Sequence, residues 1–154
     1  MVCAAFVGHN LGKNVKRVIV IDDDKAVGGA IKLWLELESA DVTYVDDSLD
    51  GIETIKTAVF DLAIIDIFMP GMNGLEAIKA VHALKPNLPI IAMSGLGHRA
   101  DSGAAPGIAE LATRSGAAEA IRKPFRPRDL MQAIESCLGG PLREARASRT
   151  EPTC

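Results

Sequence analysis

The sequence predicts a doubly wound α/β domain, a parallel sheet of five strands with helices packed on both faces. Three observations carry that expectation. Short, continuously apolar runs alternate with helix-period segments over residues 17–138, and a strand that is apolar on both sides is one covered on both sides. Clusters of Gly, Pro, Asn and Asp punctuate the units. Aromatic residues make up only 4% of the chain, so the core must be built from Val, Ile, Leu and Ala.

The elements follow in order. Residues 1–16 carry Gly8, Asn10, Gly12 and Asn14 without sustained periodicity and read as a loose extension. Val18–Ile21 is a β-branched run that ends in Asp22-Asp23-Asp24 and reads as the first buried strand. Val27, Ala30, Ile31 and Trp34 recur at helical spacing, with Trp34 read as core. Gly28-Gly29 weakens the start of that helix, by roughly 1 kcal/mol per Gly relative to Ala. Val42–Val45 suits a second strand, and Ser48 an N-cap for a helix through Ile52, Ile55 and Val59. Leu62–Ile65 is a third strand that again ends in an acid, Asp66. Met69-Pro70-Gly71 breaks the chain, and Asn73 with Glu76 has the spacing of a capping box for a helix through Leu75, Ile78 and Val81.

Pro86 and Pro89 bracket the turn into a fourth strand, Ile90–Met93, which ends at Ser94. Gly95–Gly107, rich in Gly, Ala and Ser, reads as a flexible loop. A short helix is expected around Ile108–Arg114, then a weak fifth strand at Ala118–Ile121 ending in Arg122-Lys123-Pro124. Leu130, Ala133, Ile134, Cys137 and Leu138 form the cleanest helical stripe, bounded by Pro127 and Gly139-Gly140. Residues 141–154 are polar and read as a flexible tail. The expected organisation is an extension over 1–16, one domain over 17–140 and a tail over 141–154.

Composition excludes several function classes. The chain has 154 residues, with 17 Lys+Arg against 20 Asp+Glu and a formal net charge of −3. That balance lacks the basic stripe of a nucleic-acid footprint. No apolar run approaches the ~20 residues that span a bilayer, and the N-terminus lacks the pattern of a secretory signal. Cys3, Cys137 and Cys154 form no CxxC, and His9, His82 and His98 share no metal-ligand spacing, which argues against a disulfide framework or a zinc site. A reducing cytoplasm is the expected compartment.

In a sheet of this kind ligands bind beyond the carboxyl ends of the strands, where strand order reverses. Those ends carry Asp22-Asp23, Asp66, Ser94 and Lys123. Each has an ordinary reading as a solvated turn, a loop cap or a surface charge; the four gain force because all fall on one edge. Three carboxylates brought together repel one another unless a cation sits among them. Mg²⁺ suits that need, since it takes one or two carboxylates together with water and phosphate oxygens. A shielded carboxylate can attack phosphorus and form an acyl phosphate, and a hydroxyl and an ammonium can hold the phosphoryl oxygens. Arg17, Lys25 and Arg126 read as solvated charges.

With these residues in view, the sequence resembles the receiver domain of two-component response regulators. The matching segments are VIVIDDDKAV, DLAIIDIFMPGMNGLEAI, PIIAMSG and GAAEAIRKPF, spread over residues 17–138. The resemblance implies a flavodoxin-like fold with strand order 2-1-3-4-5. It also implies Asp66 as phosphoacceptor, Asp23 as a direct Mg²⁺ ligand, Asp22 acting through water, and Phe68 offering its backbone carbonyl to the metal. Ser94 matches the switch Ser/Thr, Lys123 the phosphoryl-binding lysine, and the Lys123–Pro124 bond is often cis in the family. Two departures stand out. The position three residues before the lysine, usually a large ring, is Ala120, so the usual Ser–aromatic coupling has no ring to move. Ser94 and Lys123 are 29 positions apart, several more than is typical, with the excess in Gly95–Gly107; ordering of that loop is the expected carrier of any switching.

The function expected is a single-domain response regulator. It would take a phosphoryl group on Asp66 from a histidine kinase or phosphotransfer protein and signal by binding another protein or by phosphorelay. It is not expected to be an enzyme beyond Mg²⁺-dependent self-phosphorylation and slow autodephosphorylation, nor to bind nucleic acid or membrane directly. With the chain running only to Cys154 after its last helix, no output domain is expected. The alternative is a receiver-like interaction module that does not use phosphate, motivated by Ala120. A phosphatase would lack a general acid at Phe68, and the acidic first loop is wrong for flavin phosphate.

Overall fold

In the computed structural model, which describes residues 15–95 and 107–142, five strands and five helices alternate strictly along the chain. The strands are β1 (Arg17–Ile21), β2 (Asp41–Val45), β3 (Leu62–Asp66), β4 (Ile90–Ser94) and β5 (Glu119–Arg122). The helices are α1 (Lys25–Leu37), α2 (Ser48–Thr57), α3 (Gly74–Leu84), α4 (Ile108–Ser115) and α5 (Pro127–Leu138). All pairings are parallel, in the order β2-β1-β3-β4-β5, which is the expected doubly wound arrangement. The segments 1–14, 96–106 and 143–154 lie outside the described residues. With them lie the expected N-terminal extension, nearly all of the Gly95–Gly107 loop and most of the C-terminal tail.

Successive strand residues point to opposite faces, and the core divides accordingly. Ile19, Ile21, Ala63, Ile65, Ile90 and Ala92 face one way and meet Ile52, Ile55, Ile78, Val81 and Ala112 from α2, α3 and α4. Val18, Val20, Leu62, Ile64, Ile91 and Met93 face the other way and meet Ile31, Leu35, Leu130 and Ile134 from α1 and α5. The central strands β3 and β4 are buried at every position. Each fully buried Ile or Leu contributes roughly 1.5–3 kcal/mol relative to exposure, and thirteen such side chains among the described residues stand in for the missing aromatics. Leu142 is also buried, two residues into the stretch read as tail. Trp34 is half-buried and meets Phe125 edge-on, with ring centroids 6.4 Å apart.

Several local expectations shift. Asp47, not Ser48, caps α2: its Oδ1 accepts from the Leu49 and Asp50 N–H groups, while Ser48 opens the helix and is buried. An Asp one residue earlier competes for the same orphan donors with a stronger, charged acceptor. Asn73 caps α3 through the Leu75 N–H. At α5 only the return half of a capping box forms: Asp129 accepts from the Arg126 N–H at 3.1 Å and pairs with its guanidinium at 3.0 Å, while the Asp129 N–H donates to the Arg126 backbone carbonyl. Arg126 therefore has a local structural task. Strand β5 begins one residue later than expected, which leaves Lys123 immediately past its end.

The site edge depends on a close approach at Gly74, where any β-carbon would overlap the Ile67 backbone and the Asp66 carbonyl. The contacts are main chain and cannot step aside, so Gly74→Ala is expected to lose about 1–3 kcal/mol through overpacking. Gly29 is also helical but exposed, with nothing within 4 Å of its β-carbon position. Gly29→Ala is expected to be neutral or to gain up to about 1 kcal/mol. Urea unfolding of the two variants beside the wild type checks both outcomes.

Candidate functional site

The register of the sheet places the chemistry. Ile21 pairs with both Val45 and Ile65, Asp66 with Met93, and Ser94 with Arg122. The residues at or just beyond these pairs, Asp22, Asp66, Ser94 and Lys123, therefore meet along one edge of the sheet. Backbone bonds continue past the strands: the Asp22 N–H donates to Val45 at 3.1 Å, the Ile67 N–H to Met93 at 2.9 Å and the Lys123 N–H to Ser94 at 2.7 Å. The Lys123–Pro124 peptide is cis.

At the centre is a three-member charge cluster. The Lys123 ammonium lies 2.7 Å from Asp22 Oδ2 and 3.1 Å from Asp66 Oδ2. Asp22 is fully buried, Asp66 is 4% exposed, and the lysine side chain keeps 18% of its surface. The remaining carboxylate oxygens take backbone donors: Asp22 Oδ1 from the Asp24 N–H at 2.9 Å, and Asp66 Oδ1 from the Phe68 N–H at 3.1 Å. Asp24 in turn caps α1 by accepting from Ala26 and Val27. Asp23 is exposed. One oxygen from each of Asp22, Asp23 and Asp66 lies within 4.8 Å of the others.

Asp22, Asp23, Asp66 and Lys123 thus come together as the sequence suggested. Ser94 is on the same edge and buried, but its hydroxyl donates at 3.5 Å to the Ile121 carbonyl on β5, away from the carboxylates. Ala120 pairs with Ala92 across the β4–β5 ladder and packs, half-buried, against the α2–α3–α4 side of the core. The Phe68 side chain joins the same cluster. Beside Lys123 opens a groove of about 540 Å³ walled by Val27, Ala30, Trp34, Pro124 and Phe125. Sequence reasoning missed Tyr44, whose hydroxyl donates to the Asp22 carbonyl at 2.6 Å. The available signal was its place at the end of β2, one residue before the partner of Ile21, beside an acidic loop and a Gly-Gly pair.

Electrostatics follow from this packing. Burial is the largest influence on Asp66 and, with the nearby Asp22 charge, raises its pKa above 3.8; the Phe68 N–H and the Lys123 ammonium oppose the rise without cancelling it. Burial works against the Lys123 ammonium, but hydrogen bonds and charge from Asp22 and Asp66 outweigh it and raise its pKa above 10.5. Burial, reinforced by the surrounding aspartates, raises Tyr44 above 10.0, so its hydroxyl stays a donor at neutral pH.

The donor set fits a hard divalent cation. Three carboxylates supply oxygen ligands within reach of one another, which is the chemistry Mg²⁺ prefers. A lysine already neutralises part of their charge, and an added cation among them would complete the balance.

The chain is similar to several known proteins. The profile of the response regulator receiver domain family matches residues 18–135. Among curated proteins, the DNA-binding response regulator MtrA of Mycobacterium tuberculosis is 26% identical over 123 residues, covering 80% of this chain and 50% of its own length. The cell cycle response regulator CtrA of Brucella ovis is 30% identical over 120 residues, covering 78% and 49%. The chain spans about half the length of the curated relatives it matches. Among solved structures, a CheY-like receiver domain protein from Methanospirillum hungatei superposes with a TM-score of 0.71 at 30% identity, over 81% of this chain and 94% of that one. The receiver domain of NtrX from Brucella abortus gives 0.71 at 25% identity, over 79% and 98%.

Two stability predictions arise from the charge cluster. An acid whose pKa is raised by folding binds its proton more tightly in the native than in the unfolded chain, so it costs stability as pH climbs past its unfolded value. Asp66→Asn is therefore expected to raise the thermal midpoint at about pH 7.5, with the gain shrinking towards about pH 3, measured by unfolding both proteins across that range. Lys123→Met leaves two buried carboxylates facing each other. It is expected to cost about 3 kcal/mol near neutral pH, the lower end for breaking a buried pair, and less in acid where the carboxyls hold protons. Urea midpoints at the two pH values check the difference.

Proposed function

Because the chain belongs to the response regulator receiver domain family, we propose that it accepts a phosphoryl group on Asp66 from the phosphohistidine of a histidine kinase or phosphotransfer protein. The observation that carries this reading is the pairing of one ammonium, Lys123, with the buried carboxylates of Asp22 and Asp66 on adjacent strands, beside the exposed Asp23. Asp66 Oδ2 attacks phosphorus; the new P–O bond forms as the P–N bond breaks, and the electron pair returns to the donor imidazole, which takes up a proton. Asp22, Asp23, Asp66 and the Phe68 backbone carbonyl are the residues that would hold Mg²⁺. A bound Mg²⁺ shields the carboxylates and the incoming phosphoryl oxygens from mutual repulsion.

The remaining work falls to the chain itself. Lys123 exchanges its contact with Asp66 for the phosphoryl oxygens, keeping Asp22 as its second partner. The Phe68 N–H, at 3.1 Å from Asp66 Oδ1, holds one carboxylate oxygen so that the other meets phosphorus. Ser94 leaves the long contact with Ile121 and donates to a phosphoryl oxygen. The apolar groove beside Lys123 lies where a donor protein would approach. Output by protein binding or onward phosphotransfer does not use the ring found at the Ala120 position in most receivers.

A second reading, an interaction module that does not use phosphate, is favoured by Ala120, whose methyl offers no ring to couple with Ser94. Intact mass after incubation with acetyl phosphate and Mg²⁺ separates the two. Phosphotransfer requires a gain of one phosphoryl mass in the wild type, absent from Asp66→Asn and from a sample with EDTA. A folded wild type that gains no mass from acetyl phosphate or from phosphohistidine donors overturns the phosphoacceptor reading.

A further inference from the structure

Asp22 is gripped from β2 on both sides of its Cα. Its N–H donates to the Val45 carbonyl and extends the β1–β2 ladder by one rung. Its carbonyl accepts from the Tyr44 hydroxyl at 2.6 Å. The ladder bond is what parallel strands supply; the second bond needs a side chain of this length with a donor at its tip. The ring reaches the loop by passing against α1 at Gly28, where a β-carbon would overlap three ring atoms. Gly28 is buried and costs helix propensity, and clearance for Tyr44 accounts for it.

The two acids depend on this grip differently. The Asp22 side chain is fixed by Lys123 and the Asp24 N–H. Asp23 is exposed, and no hydrogen bond or ion pair holds its carboxylate among the described residues. What its backbone sets, in part through the plane of the preceding peptide, is the direction in which its Cα–Cβ bond leaves the chain, and with it the space the carboxylate sweeps. We infer that Tyr44 is a positioning residue for the divalent cation. Its hydroxyl fixes the Asp22–Asp23 peptide so that the Asp23 carboxylate stays within 4.8 Å of those of Asp22 and Asp66. The inference rests on the reading of these three acids as the Mg²⁺ site.

The test is a Mg²⁺ titration of the full chain, isotopically labelled and followed through the Asp24 amide, whose N–H bonds Asp22. The wild type is expected to saturate and Asp23→Asn to lose the response. Tyr44→Phe keeps the ring and removes one neutral hydrogen bond, so Mg²⁺ should bind roughly 3- to 10-fold more weakly, while the metal-free thermal midpoint falls by only about 2–6 °C and the protein stays folded. Gly28→Ala, which displaces the ring but keeps the hydroxyl, should weaken binding as well, and the double variant should be no weaker than the worse single one. Equal Mg²⁺ affinity in wild type and Tyr44→Phe, with Asp23→Asn impaired, overturns this inference alone; so does additivity in the double variant. A wild type with no saturable response overturns the metal reading and this inference with it.

Discussion

Everything at the carboxyl edge of the sheet is arranged around one ammonium. Asp22 and Asp66 belong to neighbouring strands, are almost entirely removed from water, and would repel strongly if left alone. Lys123 comes from the far side of the sheet, just past β5, and reaches both. That reach works only because the order β2-β1-β3-β4-β5 puts the end of β3 in the centre and because the Lys123 N–H is anchored on Ser94. Burial of the pair is not an efficient way to gain stability, since desolvation offsets most of the attraction. What it supplies is two buried carboxylates and one ammonium fixed together at the edge of the sheet.

The two-sided core is what makes such a cluster stable. Residues of one strand divide between two hydrophobic layers with a period of two, so each strand is fixed against sliding by one residue. A slip of one position would turn Asp66 from the edge into one of those layers. The approach of Gly74 to the backbone of Ile67 pins the exit of β3 in the same way. Rigid aliphatic packing below and adaptable charge above are two consequences of the same register.

Most of this is legible in the sequence. Continuous β-branched runs such as VIVI and LAII announce strands covered on both faces, and the acids that follow them announce an edge. What was not readable depends on competition between neighbouring side chains or on contacts between distant segments. The cap of α2 went to Asp47 because charge outranks a hydroxyl when both are one residue apart. The Asp129 contact back to Arg126 was hidden because a guanidinium has no acceptor to cap a helix with, and the bond runs the other way, from Arg126 to its neighbour. Ser94 is at the expected place with its hydroxyl turned to Ile121, a choice of rotamer that no spacing reveals. Tyr44 was invisible for a similar reason: its value comes from which loop its hydroxyl meets.

Trp34 deserves a last consideration, as the one tryptophan in the chain. It lines the groove that begins at Lys123 and touches the ring of Phe125, two residues further along the same turn. The protein therefore carries a single indole chromophore lodged in the wall of that groove. Its emission colour reads the wetness of that wall, an optical gauge that needs no label.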